Sequence, residues 1–136
     1  MKLQNITKES FGKYGTIYEY PENNEESFHI IDREEREPWR IALFRYRNQT
    51  IRVMENHPAS KESFEPLAGV TVLMVAEHET PWAYEAFLLD KGICLKKGIW
   101  HQVLALTPEA QVKITENLEV DSEFFELEKE VSVELI

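Results

Sequence analysis

Two stretches of this chain carry side chains whose types and spacing suit proton transfer or cation binding. The first is Glu55-Asn56-His57-Pro58, followed by Glu62 and then Gly69. On an extended strand, residues two apart point to one face, so Glu55 and His57 can reach a common interior point, and Glu62 can return to it from the next turn. The second runs from Gly92 through Gly98-Ile99-Trp100-His101. Its glycines permit tight turns, and along the returning strand Ile99 and His101 alternate with Trp100. His101 can thereby face a partner from a distant part of the chain. An imidazole exchanges a proton near neutral pH, so His57 or His101 is a candidate acid or base, with Glu62 orienting it or acting as base itself. The same atoms form a mixed oxygen and nitrogen donor set: Glu55, His57, Glu62 and His101 could hold a divalent transition metal such as zinc, iron, manganese or nickel. The competing structural arrangement pairs Glu62 with an arginine and leaves both imidazoles hydrogen-bonded inside the fold. His78 lies in a polar loop with no comparable spacing and is left out of the candidate site.

The elements that must position these groups are short. Met1–Ile6 suits an edge strand, and Thr7 before Lys8, Glu9 and Ser10 can cap a brief helical turn that sends Phe11 and Tyr14 to the core and stops at Gly15. Thr16–Tyr20 has β-branched and aromatic character. Phe28–Ile31 is a short apolar stretch around His29. Ile41–Tyr46 and Thr50–Met54 flank Arg47–Gln49, which reads as a hairpin turning at Asn48. Pro58 and Pro66 punctuate an irregular Glu55–Leu67 before the β-like Val70–Val75, and Ile99–Leu106 is a strand against which Val112–Ile114 can pair back. The Glu123–Glu130 segment reads as a solvated strand or loop, and the alternation of Val131–Ile136 predicts a strand over one edge. Many short strands between Gly and Pro turns predict a closed or sandwiched β architecture whose mouth can hold a small ligand.

Composition narrows the partners. The 136 residues suit a single domain, 1–136, and an apolar content of 43% supports a packed core without metal or disulfides. Cys94 is the only cysteine, which excludes an internal disulfide and a cysteine-rich zinc cage; a buried, inert thiol is expected. Fifteen Lys and Arg against twenty-five Asp and Glu give a net charge of −10, which opposes nucleic acid and anionic membrane as partners. The longest apolar run, Val72–Ala76, is too short to span a bilayer. With no leader-like apolar segment near Met1, a cytoplasmic location is the default expectation. No organic cofactor is expected.

The two stretches resemble the two cupin motifs. Glu55, His57, Glu62 and Gly69 match the spacing of the first, with Glu55 in place of its usual first histidine; Gly92, Gly98 and His101 match the second, with Lys96 in place of its usual proline. The resemblance implies an all-β, cupin-type antiparallel β-barrel (a double-stranded β-helix) with short helical turns. A narrower likeness lies in Met54-Glu55-Asn56-His57-Pro58, Phe64-Glu65-Pro66-Leu67, Ala86-Phe87 and Gly98-Ile99-Trp100-His101, together with Met1-Lys2-Leu3-Gln4 and Phe11-Gly12-Lys13-Tyr14-Gly15. These resemble the ureidoglycolate lyase family, whose members release urea from ureidoglycolate to leave glyoxylate and are commonly homodimers.

That resemblance implies a lyase acting on a carbon–nitrogen bond of a small carboxylated metabolite, and a homodimer. It implies a cation for the substrate carboxylate, for which Arg45, Arg52 and Lys97 are candidates. Arg45 comes first, as a bidentate donor on a strand beside Phe44. His29 enters through a shorter Phe28-His29 match, and Trp100 as a wall of the pocket or core. The chain also departs from the family pattern. Glu62 stands where glutamine is common, Gln102 where a second histidine follows His101, Ser27 where an arginine precedes the Phe-His pair, and an Asp-Arg pair after the late strand is not evident. An ionisable Glu62 strengthens cation binding and favours the alternative of a metal-binding cupin isomerase or oxygenase; a non-catalytic small-ligand-binding cupin is the third reading.

Overall fold

Thr7 closes the first extended segment with a capping box: its hydroxyl accepts from the Ser10 amide at 3.0 Å while its own amide donates to Ser10 Oγ at 3.0 Å. This starts α1 (Lys8–Phe11) after β1 (Leu3–Asn5), and the turn delivers Phe11 and Tyr14 to the core, as their spacing predicts. Both rings pack edge-on against Phe87, and the Tyr14 hydroxyl donates to Glu85. β2 (Gly15–Ile17) follows directly. Gly15 serves close approach rather than a stop: a Cβ there would lie 2.1 Å from the Cys94 carbonyl oxygen on the facing strand.

The computed structural model describes residues 1–133. After β2 come β3 (Trp39–Tyr46), β4 (Ile51–Asn56), β5 (Glu62–Ala68), β6 (Thr71–Ala76), β7 (Glu85–Leu88), β8 (Ile93–Leu95), β9 (Trp100–Ala105), β10 (Ala110–Asn117) and β11 (Glu123–Val131). They form two sheets, of six strands in the order β1-β7-β6-β9-β4-β11 and of five in the order β2-β8-β5-β10-β3. All pairings among the described residues are antiparallel except β1 with β7. The class is all-β, of the cupin type, but the two sheets keep separate edges and do not close into one continuous barrel. No helix of the described residues is long and apolar enough to cross a membrane.

The main core gathers Phe64, Leu73, Val75, Phe87, Ile93, Leu95, Val103, Val112 and Ile114, drawn from both sheets. A second cluster takes the opposite side chains of the six-stranded sheet: Met54, Val72, Met74, Ala76, Trp100 and Leu104, with Leu127 and Val131 of β11. β6 therefore buries every residue. Its unbroken apolar run reflects burial on both faces, with alternate residues going to alternate clusters.

Several sequence expectations are corrected here. β3 and β4 are not a hairpin: β3 pairs with β10 in one sheet, β4 with β9 and β11 in the other. Asn48 holds this crossing, its side-chain amide donating to the Val103 carbonyl at 2.8 Å and its own carbonyl accepting from the Ala105 amide. Nor does Val112–Ile114 pair back on β9; β10 lies between β3 and β5. Glu62–Ala68 is a strand despite Pro66, which sits where the β5–β10 register shifts and an irregularity tolerates the missing donor. Phe28–Ile31 forms no strand and belongs to an irregular connection over residues 18–38. The acidic segment is an edge strand that runs on to Val131, which pairs with Ile51; of the expected Val131–Ile136 strand only Val131 is in β11 among the described residues, and residues 134–136 lie outside them. Cys94 is buried and free, and desolvation pushes its thiol up to about 11, in keeping with an inert thiol.

Candidate active site

Gly98 ties the two motifs together. Its φ of +77° lets the chain turn into β9 without strain, and its amide donates to the His57 carbonyl at 3.0 Å. On the outer side, His78 holds the same turn: its Nδ1 donates to the Gly98 carbonyl, its ring stacks on Trp100, and its carbonyl accepts from the Trp100 indole at 2.9 Å. His78 is thus a structural histidine. With β9 set, His101 is in register with Glu55 of β4, and both side chains turn inward.

The facing sheet contributes a second row. Glu62 opens β5 opposite Glu116 of β10, which in turn is opposite Arg40 of β3. The two rows meet in a pocket of about 420 Å³ bounded by β3, β4, β9 and the segment before β11. At its floor, Glu62 Oε1 lies 2.9 Å from His101 Nε2 and 3.2 Å from His57 Nε2. His57 Nε2 is also 3.2 Å from Glu55 Oε1 and 3.7 Å from Glu116 Oε1. Arg40 donates from Nε and from one terminal nitrogen to Glu116 Oε2, at 3.0 and 2.6 Å. Glu62, Glu116, His57 and His101 are buried, whereas Arg40 is half-exposed at the rim.

The backbone decides which imidazole nitrogens work. His57 Nδ1 faces the Asp121 carbonyl at 3.1 Å and His101 Nδ1 faces the Ile99 carbonyl at 3.0 Å. A carbonyl only accepts, so each Nδ1 carries a hydrogen and each Nε2 is left for the pocket. A bare Nε2 against a carboxylate oxygen sets lone pair against lone pair, which a proton or a cation between them relieves. Burial alone would lower both histidines, but the Glu62 carboxylate outweighs it: His57 is raised to about 9, helped by Glu55, and His101 is raised in the same direction. Burial would raise Glu62, yet the charge of His101 at 2.9 Å, and then that of His57 at 3.2 Å, holds it down to about 2.

Glu62 Oε1 and Glu116 Oε1 are buried and, despite the short ion-pair distances, no donor points at either in hydrogen-bonding geometry. Ligand atoms of Glu55, His57 and His101, and of His57, Glu62 and Glu116, converge to within 4.8 Å of one another. Undirected carboxylate oxygens beside two Nε2 atoms, on which a metal can take the place of the proton, are a donor set that fits a divalent transition metal.

The expected site residues divide sharply. Glu55, His57, Glu62 and His101 come together; His29, Arg45, Lys97 and Trp100 do not reach this pocket. Arg45 has the opposite strand phase from Arg40 and Phe44, so it points to solvent beside Glu109. Lys97 pairs with Glu34 at 3.3 Å outside the turn. His29 sits by Glu26 in the 18–38 connection, on a separate cavity of about 540 Å³. Trp100, one residue from His101, faces the other side of the sheet. Arg40 and Glu116 were missed, although alternation could have found them: Arg40 shares the inward phase of Ala42, Phe44 and Tyr46, and Glu116 that of Val112 and Ile114.

Fold and pocket together define a cupin-type protein with a buried histidine and carboxylate centre. The sequence model of the ureidoglycolate lyase family matches residues 36–134, and the chain belongs to that family. Curated relatives include ureidoglycolate lyase of Agrobacterium fabrum, 28% identical over 125 residues covering 76% of this chain and 75% of that one. The Brucella ovis ureidoglycolate lyase is 27% identical over 125 residues, covering 76% and 74%. Among solved structures, RmlC from Streptococcus suis in complex with dTDP-D-xylose matches at a TM-score of 0.51 and 16% identity, over 60% of this chain and 45% of that one. This likeness is one of fold alone.

Proposed function

We propose that the protein is a lyase that splits ureidoglycolate, or a closely related small carboxylated metabolite, at the carbon–nitrogen bond. In that reaction the carbinol hydroxyl loses its proton, the oxygen electrons form the carbonyl of glyoxylate, the C–N bond breaks, and the urea nitrogen keeps the bonding pair and takes up a proton. The net proton movement is from oxygen to nitrogen. Two imidazoles on one carboxylate suit it. Glu62 favours an imidazolium, while a second charge on the neighbouring ring, 5.2 Å away between ring centres, is opposed by the first. The pair therefore offers one neutral and one charged ring: the neutral Nε2 takes the hydroxyl proton and the charged one gives a proton to the leaving urea. The observation that carries this reading is the position of Glu62 Oε1 between His57 Nε2 and His101 Nε2.

The undirected buried oxygens favour a second occupant of the same centre, a divalent transition metal held by Glu55, His57 and His101 or by His57, Glu62 and Glu116. Bound there it would supply Lewis-acid polarisation of a substrate oxygen. The test is glyoxylate release from ureidoglycolate by the purified chain, assayed after chelation and after addition of each metal, with elemental analysis of the untreated protein. Release of glyoxylate supports the lyase. No turnover under any metal condition defeats it, and turnover and stability unchanged by chelation defeat the metal. We further propose a homodimer, which sedimentation as monomer alone at micromolar concentration would overturn.

A further inference from the structure

The pocket that carries out this chemistry is rich in negative charge. Glu55, Glu62 and Glu116 all line it, and among the described residues Arg40 is the only Lys or Arg that does. An anionic substrate entering a low-dielectric cleft with three carboxylates needs a fixed cation where its own charge comes to rest. We propose that Arg40 is that anchor, binding the substrate carboxylate at the rim, and that Glu116 is the positioning residue that holds it there. The inference rests on the reading of the substrate as a small carboxylate.

Three observations carry it. Arg40 spends its Nε and one terminal nitrogen on a single oxygen, Glu116 Oε2, so its other terminal nitrogen makes no hydrogen bond among the described residues. A guanidinium is a planar fork and can serve two carboxylates from different edges. The strand register then sets the direction of binding. Glu62, Glu116 and Arg40 stand in one row across β5, β10 and β3, from the buried imidazole contacts to the half-exposed rim. A substrate whose carboxylate meets Arg40 points its reacting carbon inward to the histidines. Finally, Glu116 fixes Arg40 through Oε2 while its Oε1 stays 3.7 Å from His57 Nε2, so one carboxylate spaces the anchor from the acid–base pair. The ligand class this selects is a short 2-hydroxy acid, with the carboxylate next to the reacting carbon.

Removing Arg40 alone strands a buried Glu116 charge, so the test uses Arg40→Lys and the double variant Arg40→Met/Glu116→Gln beside wild type. Binding of glycolate and of its neutral counterpart glycolamide is measured by calorimetry on the full chain, and ureidoglycolate kinetics are measured in parallel. Wild type should prefer glycolate, and the double variant should lose that preference and raise KM by about 10–100-fold with a smaller change in kcat, the range for a hydrogen bond to a charged group. Arg40→Lys should recover part of the preference. Glu116→Gln should raise KM while the glycolate preference persists in reduced form. A double variant with wild-type KM and wild-type preference overturns the anchor, as does a wild-type protein that binds glycolate and glycolamide alike. Arg40-dependent glycolate binding without any glyoxylate release would keep the anchor and remove the lyase; turnover with a KM indifferent to both Arg40 variants would do the reverse.

Discussion

Trp100 and His101 are neighbours on β9, yet they belong to regions with opposite physics. Trp100 packs on the outer face of the six-stranded sheet among Met54, Met74, Ala76 and Leu104, with its indole nitrogen satisfied by the His78 carbonyl. His101 turns to the inner face, where its partner is the Glu62 carboxylate from the opposite sheet. The outer face is held by apolar contact, which is insensitive to pH and tolerant of small shifts. The inner face carries the apolar core of Leu73, Val75 and Val103, but at its His101 end the contacts are between charges taken out of water, whose balance depends on every proton. Both residues are equally buried, so burial by itself does not tell a structural aromatic from a reactive ring; the chemistry of the facing sheet does.

Substitutions can break this contrast. The largest effect expected is His101→Ala, which should lower glyoxylate release by about 10²–10⁴-fold, the range for loss of a general acid or base, while thermal melting shows the fold retained. Next is Trp100→Ala, expected to cost about 3–5 kcal/mol in denaturant unfolding, with kcat per folded molecule nearly unchanged. If His101→Ala costs as much stability as Trp100→Ala and turnover falls only with the folded fraction, the two faces share one structural role.

A pH series sharpens the comparison. His57 is raised from its ordinary 6.5 to about 9, so its contribution to the metal-free fold is full below pH 6.5 and is lost as pH rises through 9. Glu62 is lowered from 4.5 to about 2, so its contribution is full above pH 4.5 and is lost as pH falls toward 2. The melting temperature of chelated protein should therefore be highest between pH 4.5 and 6.5 from this centre, and Glu62→Gln should flatten both limbs. Trp100→Phe should lower the whole curve without changing its shape. The smallest effect is expected at Arg45→Ala, within about 0.5 kcal/mol and without change in KM, because its side chain is in solvent beside Glu109. A rise in KM at Arg45 would return the carboxylate contact to the outer face of β3.

Much of the centre was legible along the chain because its parts are set by local geometry. Glu55 and His57 share a face by strand period, and His101 follows a glycine whose positive φ makes the turn. Arg40 and Glu116 were harder, for a physical reason. They lie 76 positions apart, and nothing local distinguishes Arg40 from Arg45 until the inward phase of β3 is known. The expectation of a β3–β4 hairpin misled in the same way, since the Arg47–Gln49 segment suits a tight turn and a crossing between sheets equally well.

By itself the amino-acid order determined what short-range sterics and periodicity control: the Thr7 cap, the doubly buried run of β6, the Gly98 turn, and the two motifs that place this chain beside its family. The tertiary structure alone decided which strands pair and in what register, and hence which charges meet. Pairing in a two-sheet fold is chosen by burial summed over distant segments, and a shift of one residue would send Arg40 and Glu116 outward and Arg45 inward.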